Sequence, residues 1–232
     1  MGSMNKKRTL KEIESWKETF DNPSYIISDK LDGISFLLEL EYKDNKYASN
    51  LYTRGDGYEG KDITEMLQYL KLPDFNKIDI DIGKIIIRGE LLVSKESFIE
   101  FEKKYSNARS FVSGISNIKD FSTKIKEISS LDLVCYEVIK PVLKPEEQLI
   151  FLEKNDFNFV HHKIIDKFDY ESLENVLIER RENSIYEIDG LIITSNDIYE
   201  RKNENPKHSF AFKKDVEYEE TEVLNVEWNA SR

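Results

Sequence analysis

Charged residues recur inside otherwise apolar, β-branched runs of this chain, and that habit governs what it can become. The clearest case is KIIIRGELLV, Lys84 to Val93, where Arg88, Gly89 and Glu90 interrupt a strongly apolar, strand-like run. ISDKLDGISF, Ile27 to Phe36, sets Lys30, Asp32 and Gly33 among Ile26, Ile27, Leu31 and Ile34; YEIDGLIIT repeats the theme with Asp189 and Gly190, and FAFKK carries Lys213. A charge buried in a strand needs a partner or a ligand. Glycine inside a strand costs about 0.5–1 kcal/mol unless the backbone must turn sharply or approach something closely. Repeated charge within apolar strands is most economically explained by one common polar ligand.

Composition narrows the class. The chain has 232 residues, 39% of them hydrophobic, enough for one large domain or two small ones with a real core. A formal charge of −11 argues against a surface devoted wholly to nucleic acid, so any phosphate contact must be local. The single cysteine, Cys135, lies in the apolar run LDLVCYEVI and can build neither a disulfide framework nor a four-cysteine zinc site, which fits a reducing, cytoplasmic compartment. No apolar run approaches the roughly 20 residues that cross a bilayer. Residues 1–4, opening on MGS, read as a vector scar.

Periodicity gives the organisation. TLKEIESWKETF spaces Leu10, Ile13, Trp16 and Phe20 as a helical stripe within an N-terminal segment, 5–25. The runs YIIS, ISFLLELEY, LYTR and KIIIRGELLV predict one antiparallel sheet. SKESFIEFEKKY predicts a helix with Ser94 as N-cap, LDLVCYEVI a buried strand, and KPEEQLIFLEKN and YESLENVLIERRENS two more helices, the last burying Leu173, Val176 and Leu177. YEIDGLIITS, HSFAFKKD and TEVLNVEWN return to strand. The mixture predicts an α+β domain over 26–232.

Taken singly, the charged positions leave two explanations open. Lys30 is either a nucleophile in a partly desolvated pocket, where its proton is lost more easily, or a surface lysine on an edge strand paired with Asp29 or Asp32. TRGDGYEGKDIT, Thr53 to Thr64, is either a solvated hairpin turn or a loop that holds Arg54 at a strand end facing a phosphate or a base. A purely structural Arg88–Glu90 pairing is disfavoured, because the glycine between them marks close backbone approach.

The order KLDG, TRGDGYEGKDIT, RGE, NARSFVSG, CYEV, EIDGLIIT and FAFK, from about Ile26 to Arg232, resembles the adenylation (nucleotidyltransferase) domain of NAD-dependent DNA ligases. KLDG alone is shared with ATP-dependent ligases and capping enzymes; the glycine-rich loop is more particular to the NAD-dependent branch. The resemblance implies a nucleotidyltransferase (ATP-grasp-like) fold, antiparallel sheets flanked by helices. It implies NAD as AMP donor, magnesium, nicked duplex DNA as partner, a monomer, no membrane, and a place in DNA replication and repair. Lys30 would attack the α-phosphorus of NAD and carry AMP as a phosphoramidate. Lys213 would stabilise the α-phosphate, and Asp32 and Asp189 would orient Lys30 or hold magnesium, Asp189 being the metal candidate. Leu31, Arg54, Glu90, Tyr136 and Ile192 would contact the nucleotide, with Glu90 accepting from ribose hydroxyls and Tyr136 stacking on adenine; a plain core aromatic is the alternative for Tyr136. Arg109 and Arg181 would face the nick phosphate or the leaving nucleotide.

Several positions depart from the family pattern. Ser28 stands where a glutamate commonly reads the adenine amino group, with Asp29 beside it. Thr194 replaces a lysine, and Lys214, a candidate to compensate, should point to the opposite strand face from Lys213; Asn117 replaces an arginine. Only 29 residues precede Lys30, fewer than the module that grips nicotinamide mononucleotide occupies, and no oligonucleotide-binding barrel, zinc finger or helix-hairpin-helix region follows VEWNASR. An isolated adenylation domain cut from a longer ligase is therefore expected. The Lys, Asn and Ile bias suits an AT-rich genome, viral or low-GC bacterial. An ATP-dependent polynucleotide or RNA ligase core and a non-catalytic AMP-binding module are the competing expectations.

Overall fold

A computed structural model describes residues 4–44, 46–55, 59–78, 83–202, 204–214 and 225. In chain order the elements are β1 (Lys6–Lys7), α1 (Leu10–Thr19), β2 (Tyr25–Leu31), β3 (Ile34–Lys43), β4 (Lys46–Thr53), β5 (Lys84–Val93), α2 (Lys95–Phe98), α3 (Ala108–Ser116), α4 (Ile125–Ser129), β6 (Leu131–Lys140), α5 (Pro145–Lys154), β7 (His162–Ile165), α6 (Tyr170–Asn183), β8 (Ile188–Ser195) and β9 (Ser209–Phe212). The fold is α+β. No helix among the described residues is long and apolar enough to cross a membrane.

The strands form two sheets, not the single one expected. β1-β9-β8-β2-β7 makes a five-stranded sheet, antiparallel except for β1 against β9, and β4-β3-β5-β6 makes a four-stranded antiparallel sheet. Alternation shows that a run is a strand but not which strand it joins. Asp32 and Gly33, between β2 and β3, carry the chain from one sheet to the other. Lys30 thus lies at the end of a strand, beside this crossing.

Each sheet buries one apolar face. Phe36, Leu38 and Leu40 of β3 and Ile85, Ile87 and Leu91 of β5 pack with Phe111 and Ile115 of α3. On the five-stranded sheet Ile27, Leu191, Ile193 and Phe210 pack with Ile13 and Trp16 of α1 and Leu173 and Leu177 of α6. α1 starts at a capping box in which Thr9 and Glu12 satisfy each other's backbone N–H, and Trp16 donates to the Lys207 carbonyl at 2.8 Å. Leu10 departs from the expected stripe and is exposed.

The helix expected over 94–105 stops early. Ser94 caps it, accepting from the Ser97 N–H, but only Lys95–Phe98 is helical. Beyond it the chain tightens into i→i−3 bonds, Phe101 to Phe98 and Lys104 to Phe101. These turns bring Phe98, Phe101 and Tyr105 onto Phe111, with centroids 6.2, 4.4 and 5.0 Å away, so side-chain packing overrides helical propensity. α3, which starts within NARSFVSG and runs on to Ser116, and the short edge strand β7 had no place in the expected element order. The expected strand HSFAFKKD contracts to Ser209–Phe212, buried at every position, with Lys213 just past its end. TEVLNVEWN lies outside the described residues apart from Asn225.

Candidate active site

The exposed end of β2 is built by strand alternation. Ser28 and Lys30 project to one face and Asp29 to the other. Asp29 is 5% exposed and held by Arg180 of α6 through two bonds, Nε to Oδ1 at 3.0 Å and a terminal nitrogen to Oδ2 at 2.9 Å. Asp32 takes Arg109 of α3 at 2.7 Å. Neither acid is therefore the partner of Lys30. Its Nζ instead donates to Asp189 Oδ2 at 2.8 Å, with about a quarter of the lysine side chain exposed.

Asp189 also accepts from Lys213 Nζ on the same oxygen. Register explains the meeting: Lys30 stands opposite Gly190 across β2 and β8, next to Asp189, and β9 runs along the other side of β8. A Cβ on Gly190 would lie 2.4 Å from the Phe212 carbonyl and 3.2 Å from Lys213 Cγ, so glycine lets β9 come close enough to deliver Lys213. Burial pushes the Asp189 carboxyl up, but hydrogen bonds from Lys213 and Lys30 outweigh it and hold the group below the ordinary carboxylate range.

The polar face of the four-stranded sheet supplies the second group. Ser35, Arg88 and Glu90 sit side by side on β3 and β5, with Tyr136 on the adjoining β6. Glu90 is 8% exposed and accepts from Ser35 Oγ at 3.0 Å. Burial pushes its carboxyl up to about 7, although the Ser35 hydrogen bond and the charges of Arg109 and Lys30 pull the other way. Arg88 bonds Glu137 at 2.9 Å and lies with its guanidinium carbon 6.0 Å from the centre of the Tyr136 ring. Arg201 joins Glu137 from the loop after β8. Tyr136 is half-buried rather than sealed in the core, and burial pushes its hydroxyl up to about 12.

Gly89 does mark a close approach, but to protein: a Cβ there would lie 2.3 Å from both the Phe36 ring and the Val134 carbonyl. Arg88 and Glu90 nevertheless have separate partners, so the charges are not spent on each other. Arg54 follows β4 directly and its N–H donates to the Ser35 carbonyl at 2.9 Å. Among the described residues, Arg54 Nε and Arg88 Nε are buried donors without a hydrogen-bond partner. Orphaned buried donors on a polar face suit an anionic or carbonyl-bearing ligand. Ile192 stands opposite Ser28, on the same face of the sheet as Lys30.

Other expected site residues fall elsewhere. Leu31 is 8% exposed and packs in the apolar cluster of the five-stranded sheet. Arg181 makes no side-chain contact with the Lys30 cluster among the described residues; its carbonyl accepts from Lys95 at 3.0 Å, and its neighbour Arg180 is the arginine that reaches β2. One step along α6 turns a side chain by about 100°. The residues present do not fit a protein-built magnesium site: Asp189 offers one carboxylate oxygen to two ammonium groups, Asp32 is paired with Arg109, and among the described residues no three His, Cys, Asp or Glu side chains converge.

The departures also find places. Lys214 pairs with Glu174 of α6 at 3.1 Å, away from Lys213, and cannot replace the cation missing at Thr194, whose hydroxyl bonds Ser209. Asn117 caps the C-terminus of its own helix, donating to the Ser113 carbonyl at 2.9 Å. Asp29, turned away and tied to Arg180, cannot stand in at Ser28. Lys61 of the glycine-rich loop, unremarked in the sequence, donates to the Ser116 and Ile118 carbonyls at 3.0 and 2.8 Å and so fastens the loop after Arg54 to the end of α3. A surface groove of about 410 Å3, lined by Lys71, Lys95, Asp132 and Ile185 among others, contains none of these residues.

Two largely antiparallel sheets that bring a strand-end lysine, an acid and a second lysine near a buried glutamate and a half-buried tyrosine have the nucleotidyltransferase fold of nucleic-acid ligases. A Lig E DNA ligase shares the fold: its solved structure aligns with 92% of this chain and 69% of its own at a TM-score of 0.53 and 16% identity. The family model of the NAD-dependent DNA ligase adenylation domain matches residues 1–216, and the chain belongs to that family. A DNA ligase of Acanthamoeba polyphaga mimivirus is 44% identical over the whole chain, and one of Mycoplasmopsis agalactiae is 29% identical over 89% of it. The chain spans about a third of the length of these curated relatives, 36% and 32%.

Proposed function

We propose that this chain takes AMP from NAD onto Lys30 and passes it to the 5′-phosphate of a DNA nick. Lys30 Nζ, once deprotonated, attacks the α-phosphorus; the N–P bond forms, the bond to the bridging oxygen breaks, and nicotinamide mononucleotide leaves with the electron pair. Asp189 holds the amine in line, and Lys213 lies beside it to meet charge developing on the α-phosphate, the electrostatic contribution usually largest in such transfers. Glu90 accepts from the ribose, Tyr136 stacks on adenine, and Arg54 turns its unpartnered Nε toward the nucleotide. The AMP then moves to the 5′-phosphate, and the 3′-hydroxyl displaces it to seal the strand. Arg109, joined to Asp32 at the mouth of the cluster, is the residue that would meet the nick phosphate.

The observation that carries this reading is the sharing of one Asp189 oxygen by Lys30 and Lys213, which sets a nucleophile and a phosphate-binding cation side by side. Incubation with adenylate-labelled NAD, followed by intact mass, tests it. Wild-type chain gains one AMP, and Lys30→Ala gains none while keeping its fold. Label retained on Lys30→Ala, or labelling by ATP in preference to NAD, refutes the assignment. Sealing of nicked duplex by the chain is expected to be poor, since its net charge of −11 supplies little attraction for a duplex.

A further inference from the structure

Ser35 lies between two of the residues proposed to hold the nucleotide, Arg54 and Glu90. Its carbonyl accepts the Arg54 N–H at 2.9 Å and its hydroxyl donates to Glu90 Oε2 at 3.0 Å. The arrangement follows from register, because Ser35 is the Cα partner of Glu90 across β3 and β5, and Arg54 continues the strand on the other side of β3. The side-chain bond runs along the polar face of the sheet.

A glutamate has three rotatable bonds and a carboxylate with two oxygens, each able to accept. With Oε2 held by Ser35, the carboxylate has fewer accessible rotamers and Oε1 remains to accept from a ligand. The charged groups nearby do not do this work. Lys30 bonds Asp189, Arg109 bonds Asp32, and Arg88, on the same face, bonds Glu137. Among the described residues the Ser35 hydroxyl is the group that hydrogen-bonds the Glu90 side chain.

We propose that Ser35 is the positioning residue that turns Glu90 into a reader of the adenosine ribose, so that the site distinguishes a ribonucleotide from its deoxy counterpart. The inference rests on the proposed contact between Glu90 and a ribose hydroxyl. Without Ser35 the carboxylate is free to rotate, and the hydroxyl-specific part of binding falls while stacking and phosphate contacts persist.

Binding of AMP, 2′-deoxy-AMP and 3′-deoxy-AMP to the 232-residue chain by titration calorimetry tests this in wild type, Ser35→Ala, Ser35→Thr and Glu90→Gln. Wild type is expected to prefer AMP over at least one deoxy analogue by about tenfold or more, the scale of a hydrogen bond to a charged acceptor. Ser35→Ala reduces that preference to about threefold or less with the deoxy analogue bound nearly as before, and Ser35→Thr, which keeps the hydroxyl, preserves it. Equal losses for AMP and its deoxy analogues in Ser35→Ala indicate a merely structural serine and overturn the proposal. A preference lost in Glu90→Gln but intact in Ser35→Ala overturns the role of Ser35 alone. A wild type without any preference, or a preference that survives Glu90→Gln, overturns the ribose contact of Glu90 and the inference with it.

Discussion

Replacing Glu90 by glutamine exposes how much this site costs the fold. Burial pushes the Glu90 carboxyl up to about 7 from an ordinary 4.5, and the Ser35 hydrogen bond with the Arg109 and Lys30 charges recovers only part of the loss. Below 4.5 both folded and unfolded chains hold the proton. As pH rises from there toward 7, the unfolded chain releases it while the folded chain keeps it, so stability declines across that window and levels off above it. The gap, 7 minus 4.5, corresponds to about 3 kcal/mol at ~1.4 kcal/mol per pH unit. Ionised Glu90 is thus a destabilising group at neutral pH and above.

Glutamine is neutral throughout and still accepts from Ser35, so Glu90→Gln escapes the penalty. Urea unfolding of both proteins at pH 5 and pH 8 measures it, because Lys30, Asp32 and Arg109 are common to the two chains and largely cancel in the difference. The stability of Glu90→Gln relative to wild type is expected to rise by about 2–3 kcal/mol between the two pH values, or several degrees of melting temperature. The same variant should lose adenylation, since a neutral amide accepts more weakly from a ribose hydroxyl. A variant more stable but less active is the signature of a site held against the interest of the fold. A stability difference that stays constant from pH 5 to pH 8 would show that Glu90 is ordinarily hydrated, and the electrostatic account of this face would fail.

Two further substitutions probe the other sheet. Lys213→Ala should slow lysyl-AMP formation by about 10²–10³-fold, measured by rapid quench with labelled NAD, while AMP binding weakens less. An unchanged rate removes Lys213 from the transition state. Asp29→Ala leaves the guanidinium of Arg180, 12% exposed, without its carboxylate and should cost about 3–5 kcal/mol in urea unfolding. The double change Asp29→Leu with Arg180→Met should cost much less than Asp29→Ala alone. A loss below about 1 kcal/mol for Asp29→Ala would mean that the pair is solvated rather than buried.

Charge inside an apolar strand is costly and therefore conspicuous, which is why so much of this site is legible in the amino-acid sequence. Lys30, Glu90, Asp189 and Lys213 each stand out locally, and together they mark a ligand. Their partners are another matter. Two acids flank Lys30 in the chain, yet alternation turns Asp29 to the far face, and Asp32 goes to Arg109; the acid that meets Lys30 is 159 residues away, delivered by the pairing of β2 with β8. The same gap between pattern and pairing merged two sheets into one, since nothing periodic announces that Asp32 and Gly33 change sheets. It also hid Ser35, a small residue in an ordinary alternating run whose importance arises only because register sets it opposite Glu90. Arg181 shows the same limit on α6. Spacing from Asp189 singles it out, but spacing says nothing of its neighbour Arg180, whose guanidinium a helix repeat of 3.6 residues turns onto Asp29 of β2. Local chemistry therefore identifies which residues need a partner, and long-range register decides which partner each receives. Substitutions that shift register without altering any charged residue, such as a Cβ at Gly190 that pushes β9 off β8, should consequently slow adenylation at least as much as loss of Lys213.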